Sequence, residues 1–487
     1  MLVHQALARA AQECPDALAV RDESGSWDYR ELDRFSRSVA AWLRERGVGR
    51  GDRVLCCLPN SRQLIGLMYG ALRSGAVFVP VSPDARLYQL RSLVEDCDPA
   101  VIVTETGNPL AGDSRQVDVA RLCERLPATP ETVDEANAED MALFMYTSGS
   151  TSHPKAVVCR HRQVAFAVQA IAERLGYRSD DVVYCRLPFT FDYGLYQAFL
   201  CTHAHATLAV TGRQSEPAVL KFAHEYGATV LPLVPALAAL LLKLARRGRA
   251  LPPLRLLTNT GAELTSGTAA QLRTAFPGAA VIRMYGMTEC KRITIAEPDS
   301  DFESPRSAGT ALTGTQVDIV GEDGAILPAG QCGQIVVRGP HLMDGYWRAP
   351  GATAERYRSH PVTGERALFT GDLGSLDEAH RLTVVGRGDE IFKRRGMRTS
   401  TAEIEAAALD VPGVTQAAVR PPGPDGELHL WVATEHSAED VLRCLFERLE
   451  ASKVPDRCWV LDRLPQTAHG KVDKKRLWES LKTSTTK

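Results

Sequence analysis

The feature that most constrains the fold is an alternation of apolar, strand-like runs with helical runs. Residues 52–60 (DRVLCCLPN) and 76–83 (AVFVPVSP) have the composition of buried strands, and residues 62–75 between them (RQLIGLMYGALRSG) have that of a helix. Strands that alternate with helices in this way are typical of strand–helix–strand units and of parallel sheet. The sequence therefore predicts an α/β protein.

The pattern of apolar runs and turns changes at two places along the chain. Residues 314–337 contain short apolar runs between Glu-Asp-Gly and Pro-Ala-Gly turns, which predicts a small antiparallel β unit. After residues 386–390 (GRGDE) the pattern is strand, helix, strand. Because 487 residues exceed what one hydrophobic core organises, we predict a large N-terminal domain of packed α/β sheets over residues 1–386. It includes the small β unit, at about 314–385, and a small α+β C-terminal domain follows over residues 387–487.

Charge and apolar patterning exclude several classes of partner. Lys and Arg total 57 and Asp and Glu total 59, for a formal charge of -2, which argues against general nucleic-acid binding. The most apolar stretch, residues 228–245, is interrupted by two prolines and a lysine, so a buried strand and helix are expected there and no membrane span. The N-terminus lacks the pattern of a signal peptide, and twelve scattered cysteines without a CxxC fit reduced thiols. We expect a cytoplasmic protein.

A hydroxyl-rich loop, residues 146–155 (YTSGSTSHPK), raises the question of phosphate binding. Residues 142–146 and 156–160 on either side are strand-like. In a Walker loop the glycine-rich turn opens directly into a helix, and the GxxxxGK[ST] spacing is absent here. Backbone N–H groups and hydroxyls can still hold a phosphate, with Lys155 supplying positive charge. A solvated hairpin loop is the alternative, and the segment alone leaves both open.

Five motifs along the chain resemble those of the adenylate-forming superfamily. They are YTSGSTSHPKAV (146–157, resembling [ST]SG[ST]TGxPKGV), RMYGMTE (283–289, YGxTE), LFTGDLG (368–374, TGD), GRGDEIFKRRGMRTSTAEIE (386–405) and PQTAHGKVDKKRL (465–477). Ser152 and Ala156 stand where the loop motif has glycine. This superfamily includes acyl-CoA synthetases, luciferases and the adenylation domains of nonribosomal peptide synthetases. The resemblance covers nearly the whole chain and identifies the loop as a binding site for the phosphates of ATP that leave as pyrophosphate.

The resemblance implies a reaction in which a carboxylate attacks the α-phosphate of ATP, so cations must offset the repulsion between two anions. It implies that Glu289 holds Mg²⁺, a hard cation that prefers carboxylate and phosphate oxygens, and that Thr288 hydrogen-bonds the α-phosphate. Lys471 is expected to enter the active site from the small domain and to bridge carboxylate, ribose and phosphate oxygens. Asp372 is expected to accept the ribose hydroxyls and Tyr285 to stack on adenine.

Further nucleotide contacts follow from the same resemblance. The residues expected to contribute them are Thr147, Ser148, Gly149, Ser150, Thr151, Lys155, Gly261, Ala262, Glu263 and Arg387. Asp389 resembles the hinge about which the mobile small domain rotates between adenylation and thioester formation, and a hinge residue need not touch substrate.

Residues 187–199 (LPFTFDYGLYQAF) are the segment most informative about which acid the protein binds. Amino-acid-activating members of the superfamily have FD here, and the aspartate that binds the substrate ammonium matches Asp192. A buried carboxylate needs a partner, but Asp192 could instead cap a helix that starts at Tyr193. Arg292 is expected at the pocket rim, paired with an acidic substrate group or a protein carboxylate. The other residues expected to line the pocket are Tyr193, Tyr196, Pro232, Thr258, Thr260, Met284 and Ile293.

The leading hypothesis is ATP-dependent adenylation of a small, amine-bearing carboxylic acid and transfer of the acyl group to a thiol. Because no carrier domain follows Lys487, the acceptor is expected to be the phosphopantetheine of a separate carrier protein or coenzyme A. One alternative is an acyl- or aryl-CoA ligase for an amine-free acid, favoured by Tyr193-Gly194 and by residues 288–292 (TECKR), which resemble that branch. Another is an enzyme that uses a different small anion, such as nitrite in diazotisation. A nucleotide-binding protein without activity is the non-enzyme alternative.

Overall fold

The computed structural model describes residues 2–85, 87–108, 110, 113–128, 136–147, 155–212, 218–248, 250–387, 391–394, 397–422, 427–449, 453–467 and 471–484. Its helices are α1 (Gln5–Glu13), α2 (Tyr29–Glu45), α3 (Arg62–Arg73), α4 (Leu87–Cys97), α5 (Val119–Glu124), α6 (His161–Leu175), α7 (Asp192–Ala204), α8 (Val219–Glu225), α9 (Pro235–Ala245), α10 (Ser266–Ala275), α11 (Pro350–Arg356), α12 (Thr401–Leu409), α13 (Ala438–Arg448) and α14 (Lys474–Ser484).

The strands are β1 (Leu18–Asp22), β2 (Gly25–Asp28), β3 (Arg53–Cys57), β4 (Val77–Val81), β5 (Val101–Thr104), β6 (Gln116–Asp118), β7 (Met141–Thr147), β8 (Lys155–Arg160), β9 (Val182–Cys185), β10 (Thr207–Val210), β11 (Val230–Leu233), β12 (Leu256–Asn259), β13 (Ala280–Met287), β14 (Lys291–Ile295), β15 (Thr310–Ala311), β16 (Gln316–Val320), β17 (Gly333–Arg338), β18 (Gly345–Tyr346), β19 (Tyr357–Ser359), β20 (Arg366–Leu376), β21 (Leu382–Arg387), β22 (Ile391–Arg394), β23 (Met397–Ser400), β24 (Gln416–Arg420), β25 (His429–Ala433) and β26 (Arg457–Leu461). The α/β class predicted from the sequence is confirmed.

The strands of the first three hundred residues, β1 to β14, belong to two large sheets. In the first, the order is β15-β14-β13-β12-β11-β9-β10-β1-β2, with parallel pairing from β13 through to β1. In the second, the order is β18-β8-β7-β4-β3-β5-β6. Each parallel neighbour needs a crossover, and the helices supply them. The alternation read from residues 52–83 is therefore the β3–α3–β4 unit.

Helix α7 fixes the position of the site relative to both sheets. Leu195 of this helix belongs to the same buried apolar cluster as Val54 of β3 and Leu208 of β10. The hydroxyl of Tyr69 in α3 also donates to Thr202 Oγ1, at 2.9 Å. Because α7 is buried along most of its length, its N-terminus is held rigidly, and Asp192 is its first residue.

The remaining sheets are small. Strands β16, β17, β20 and β19 form an antiparallel sheet, with β21 paired to β20. This sheet covers the predicted β unit at about 314–385 and extends two residues beyond it, to Arg387. Strand β18 (Gly345–Tyr346) departs from that span by pairing with β8. Strands β22 and β23 form a hairpin, and β24, β25 and β26 form a three-stranded sheet. The division into domains at residue 386 stays a prediction.

Local sequence explains several element boundaries. Asp28 caps α2 and Glu31 returns the bond, a complete capping box. The apolar stretch at 228–245 forms strand β11 and then α9, which begins at Pro235, where proline is well tolerated. No helix in the described part of the chain is long and apolar enough to cross a membrane.

Candidate functional site

A cavity of about 560 Å³ opens where the ends of several strands meet. Its walls include Thr147 at the end of β7, Asn259 at the end of β12 and Tyr285 near the end of β13. Asp372 of β20 and Lys471 close it from the opposite side. Residues separated by more than three hundred positions therefore share one cleft, as expected at the carboxyl ends of parallel strands.

Glu289 is held at the wall of this cavity by two tyrosines. The hydroxyl of Tyr346 donates to Glu289 Oε1 at 2.6 Å, and the hydroxyl of Tyr357 donates to the Glu289 backbone carbonyl at 3.0 Å. Glu289 is buried and lines the cleft. Its carboxylate is thus fixed in position before any cation arrives.

A second carboxylate, Asp372, has a comparable set of partners. The hydroxyl of Tyr285 donates to Asp372 Oδ2 at 2.6 Å, and Arg387 Nε lies 3.6 Å from Oδ1. Burial raises the pKa of Asp372, while the Tyr285 hydrogen bond and the Arg387 charge oppose that rise. The carboxylate is therefore presented to the cleft by groups that favour its ionised form.

Lys471 reaches the same cleft from the C-terminal part of the chain. The Thr467 N–H donates to the Lys471 carbonyl at 2.7 Å, and Gln466 pairs with Val472, so a short β-bridge carries the lysine. Its Nζ lies 5.9 Å from the centre of the Phe191 ring. Lys471 is exposed as a whole residue, but the cavity walls partly desolvate its ammonium and so lower its pKa, and the charge of Arg387 lowers it further.

At the base of the cavity, Asp192 pairs with Arg292. Arg292 Nη1 lies 3.3 Å from Asp192 Oδ2, and the two side chains are 5% and 3% exposed. The guanidinium also lies over the Tyr193 ring, 4.7 Å from its centre. Phe191 occupies the N-cap position of α7 and makes no side-chain cap bond. The partner of the Asp192 carboxylate is thus an arginine from β14.

Lys291, next to Arg292, is fully buried. Its Nζ donates to the Thr288 carbonyl at 3.1 Å and lies 5.5 Å from the centre of the Tyr196 ring. The backbone of Lys291 has a φ of 65°, and a Cβ on Gly286 opposite would lie 1.9 Å from its carbonyl oxygen. The bulge at this point of the β13–β14 pair therefore directs a lysine inward.

The predicted substrate residues fall into two layers. Asp192, Thr260, Met284 and Arg292 line the cavity. The remaining five are buried behind this surface and are not among its lining residues: Tyr193, Tyr196, Pro232, Thr258 and Ile293. Tyr193 lies there because its hydroxyl bonds Thr258, 2.7 Å from the carbonyl oxygen, while the Tyr196 hydroxyl is buried without a hydrogen-bond partner among the described residues.

The predicted nucleotide residues that the structure describes all line the cavity. They are Thr147, Lys155, Gly261, Ala262, Glu263, Tyr285, Thr288, Glu289, Asp372, Arg387 and Lys471. Strands β7 and β8 pair antiparallel up to Thr147 and Lys155, so the loop joins strand to strand as predicted. Ser148, Gly149, Ser150, Thr151 and the hinge candidate Asp389 lie outside the described residues.

Among the lining residues that sequence reasoning missed are Phe191, Tyr346, Arg306 and Arg356. Lys291 was also missed as a buried charge beside the base of the pocket. The TECKR segment could have indicated Lys291. In a regular strand Lys291 and Arg292 would point to opposite faces, so two adjacent basic residues next to a pocket suggest that one of them lies on the buried side. Tyr346 had no local signal, because its partner Glu289 is 57 positions away.

A divalent cation fits the donors at this site only with help from a nucleotide. No group of three or more His, Cys, Asp or Glu side chains in the described parts of the chain is placed to hold a metal ion. Glu289 provides one fixed carboxylate beside the cleft. Mg²⁺ is commonly bound by one or two carboxylates together with substrate phosphates and water, and Glu289 suits that arrangement.

The fold and the cleft are those of an adenylate-forming enzyme: one cavity presents carboxylates and cations in its upper part and the pair of Asp192 and Arg292 at its base. Residues 7–347 match the AMP-binding enzyme family, and the chain belongs to that family. Proteins of this superfamily have been solved with ATP bound, and their relatives include AMP-forming ligases for carrier proteins and coenzyme A.

Three similar proteins illustrate the range. L-proline--[L-prolyl-carrier protein] ligase of Pseudomonas fluorescens is 27% identical over 97% of this chain and 98% of its own length. VinN is 42% identical with a TM-score of 0.73, covering 79% of this chain and 99% of that structure, and it has also been solved with L-aspartate. ATP-bound MatB from Rhodopseudomonas palustris is 26% identical with a TM-score of 0.85 over 99% of both chains.

The chain spans about a fifth of the length of some curated relatives that it matches. A plipastatin synthase of Bacillus subtilis is 28% identical over 98% of this chain, which corresponds to 19% of that protein. The similarity therefore concerns the adenylate-forming segment of that much longer protein.

Proposed function

We propose that this chain adenylates a small amino acid bearing a second carboxylate, with ATP as co-substrate and pyrophosphate as product. The acyl group then passes to the thiol of a separate carrier protein or of coenzyme A. The observation that carries this proposal is the set of charges at the base of the cavity: Asp192, Arg292 and, just behind them, Lys291.

The charges at this base are not balanced. Asp192 offsets Arg292, whereas Lys291 is fully buried, donates to a backbone carbonyl and forms an ion pair with no carboxylate among the described residues. A buried ammonium without a counter-ion is costly. A substrate with one ammonium and two carboxylates has a net charge of -1, so it would neutralise this surplus. In that arrangement the ammonium faces Asp192, one carboxylate faces Arg292 with the charge of Lys291 behind it, and the other carboxylate faces Lys471.

Similar proteins support both the acid and the acceptor named in the proposal. VinN has been solved with L-aspartate and with 3-methylaspartate, which are acids of this charge type. The Pseudomonas fluorescens ligase, which this chain matches over almost the whole of both lengths, loads a carrier protein with an amino acid. These are properties of those proteins, and they make aspartate-like acids and a carrier protein the first substrates to test.

The residues of the upper cleft suit the proposed chemistry. Lys471 and Thr288 both line the cleft. In the proposed reaction Lys471 supplies a positive charge where the attacking carboxylate meets the α-phosphate, and Thr288 donates to a phosphate oxygen. Glu289, held by Tyr346, would bind Mg²⁺, which neutralises phosphate charge when bound. Asp372 offers a carboxylate for the ribose hydroxyls. Because Glu289 and Asp372 are each held by a tyrosine hydroxyl, these two carboxylates need little reorganisation as charge builds on the phosphorus.

A pyrophosphate-release assay over a matched panel of acids tests the proposal. The panel contains L-aspartate, 3-methylaspartate, β-alanine, succinate, benzoate and nitrite. We expect aspartate-like acids to exceed β-alanine and succinate by at least about tenfold in kcat/KM, since each lacks one recognised charge. If kcat/KM for β-alanine equals that for aspartate, the second carboxylate is not recognised. If kcat/KM for succinate equals that for aspartate, the ammonium is not recognised.

An amine-free dicarboxylic acid is the second candidate, because Arg292 already satisfies the Asp192 carboxylate without any ammonium. The variant Asp192→Asn distinguishes an amino dicarboxylic acid from an amine-free dicarboxylic acid as the substrate. If the substrate has an ammonium, the change lowers kcat/KM for aspartate by about a hundredfold and leaves succinate unaffected or improved. A ligase for amine-free acids would instead favour succinate in the unmodified protein and transfer it to coenzyme A.

A further inference from the structure

Arg356 is an arginine of the cleft that belongs to none of the five motifs. It is the last residue of α11 (Pro350–Arg356), is half-buried and lines the cavity together with Tyr346 and Asp372. Its place on a short helix that follows β18 makes it a neighbour of the phosphate region rather than of the acid pocket.

The strand that carries Asp372 anchors one end of the Arg356 guanidinium. Arg356 Nη1 donates to the Thr370 carbonyl at 2.7 Å. A Cβ on Gly371 would lie 2.4 Å from that nitrogen, and Gly371 has a φ of 79°. The absence of a side chain at Gly371 therefore makes room for the guanidinium immediately beside the turn to Asp372.

The charge of the Arg356 guanidinium acts on both Tyr346 and Asp372. Arg356 forms no ion pair with a carboxylate anywhere in the described part of the chain. Burial raises the pKa of the Tyr346 phenol, as does Glu289 beside it, and Arg356 opposes that rise. The same Tyr346 ring has Lys155 Nζ 5.8 Å from its centre. A cation that forms no direct ion pair among the described residues thus stands beside Tyr346, which bonds Glu289, and Lys155 lies near the same ring.

We propose that Arg356 binds the triphosphate of ATP, as a cation in addition to Lys155 and Lys471. The inference rests on the proposed use of ATP. A guanidinium is suited to this role because one nitrogen is held by a carbonyl while its other N–H groups remain available in a fixed plane for phosphate oxygens. The turn that presents Asp372 to the ribose thereby also orients the cation that meets the phosphates.

The test compares equilibrium binding of ATP, AMP and adenosine by titration calorimetry to the full chain. Arg356→Met removes the charge and keeps the length, Arg356→Lys keeps the charge, and Arg358→Met removes an exposed arginine that lies over Phe369 two residues further on. We expect Arg356→Met to weaken ATP binding about tenfold and adenosine binding less than about twofold. Arg356→Lys should recover part of the loss, and Arg358→Met should bind ATP as the unmodified protein does.

Two results would overturn the proposal. Equal weakening of ATP and adenosine by Arg356→Met would mean that Arg356 only holds the turn before Asp372, and unchanged ATP affinity would mean that it has no role in binding. Should Arg356→Met fail to fold, the ratio of ATP to adenosine affinity in Arg356→Lys decides. The proposed function fails separately, if the unmodified protein binds ATP but no amino dicarboxylic acid supports pyrophosphate release.

Discussion

Asp192 and Arg292, which are 100 positions apart in the chain, form an ion pair buried at 3% and 5% exposure at the base of the cleft. One comes from the first turn of α7 and the other from the edge of a bulge in β14. Because α7 is packed between the two large sheets, neither partner can easily move to compensate for loss of the other. The pair therefore links the stability of the protein to its acid pocket.

Breaking this pair should destabilise the fold more than removing it altogether. Asp192→Asn leaves Arg292 buried without its carboxylate, so we expect the free energy of unfolding to fall by about 3 kcal/mol. In Asp192→Asn combined with Arg292→Met most of that loss should be recovered. Urea unfolding measures both. Arg162→Met, which breaks an exposed pair with Glu139, serves as control and should cost under about 1 kcal/mol; a similarly small cost for Asp192→Asn would contradict the prediction.

The bond between Tyr346 and Glu289 should set the affinity for the metal ion. Tyr346→Phe removes the hydrogen bond that fixes the Glu289 carboxylate, so the Mg²⁺ concentration for half-maximal pyrophosphate release should rise about fivefold. Tyr357→Phe removes only the bond to the Glu289 backbone and is the matched control, with a smaller shift expected. An unchanged Mg²⁺ requirement in Tyr346→Phe would argue against Glu289 as a ligand.

The loss of activity at high pH should follow the deprotonation of the Lys471 ammonium. Desolvation at the cavity wall and then the charge of Arg387 lower the pKa of Lys471 from 10.5, although the residue as a whole is exposed, and the protonated form is the one that offsets negative charge. Activity should therefore fall as the pH rises, at a pH below 10.5. Arg387→Gln should move this alkaline limb to higher pH, and in Lys471→Arg the limb should disappear along with most of the activity. Pyrophosphate release followed from about pH 7 upward measures it, and an unmoved limb in Arg387→Gln would disprove the assignment.

The stability of the fold should fall in acid through His341. This imidazole is 1% exposed, stacks on Phe166 and has neither ring nitrogen hydrogen-bonded within the described residues. Burial lowers the pKa of His341 from 6.5 to about 4. The unfolded chain takes up the proton first, so stability is complete above pH 6.5 and is lost as the pH falls towards 4.

Substitution of this histidine provides the measurement. At about pH 5, His341 should lower the free energy of unfolding by about 2 kcal/mol relative to its value at about pH 7.5. His341→Leu should remove that part of the acid dependence, whatever its effect at neutral pH, whereas His436→Gln on the exposed surface should leave it unchanged. Urea unfolding at the two pH values compares the variants, and an identical difference in His341→Leu would show that another group is responsible.

The α/β class, the strand-to-strand loop and the cleft residues of the motifs were predictable from local sequence. Lys155, Glu289, Asp372 and Lys471 each sit in a short motif whose residue types suit nucleotide chemistry, and all four line one cavity. The substrate pocket was less predictable. Residues such as Tyr193 and Thr258 bond to each other behind the surface, because which side of a layer a side chain occupies depends on packing that no single segment specifies.

The sequence by itself thus determined the class of fold, the family and the residues that we propose to act on a nucleotide, because each is encoded in short segments of the chain. Only the tertiary structure decided that Asp192 meets Arg292, that Tyr346 holds Glu289 and that Arg356 lies beside the Asp372 turn. These contacts join elements of different sheets and helices. Their geometry follows from how buried layers pack and where a β bulge turns a side chain inward, which is a property of the assembled chain.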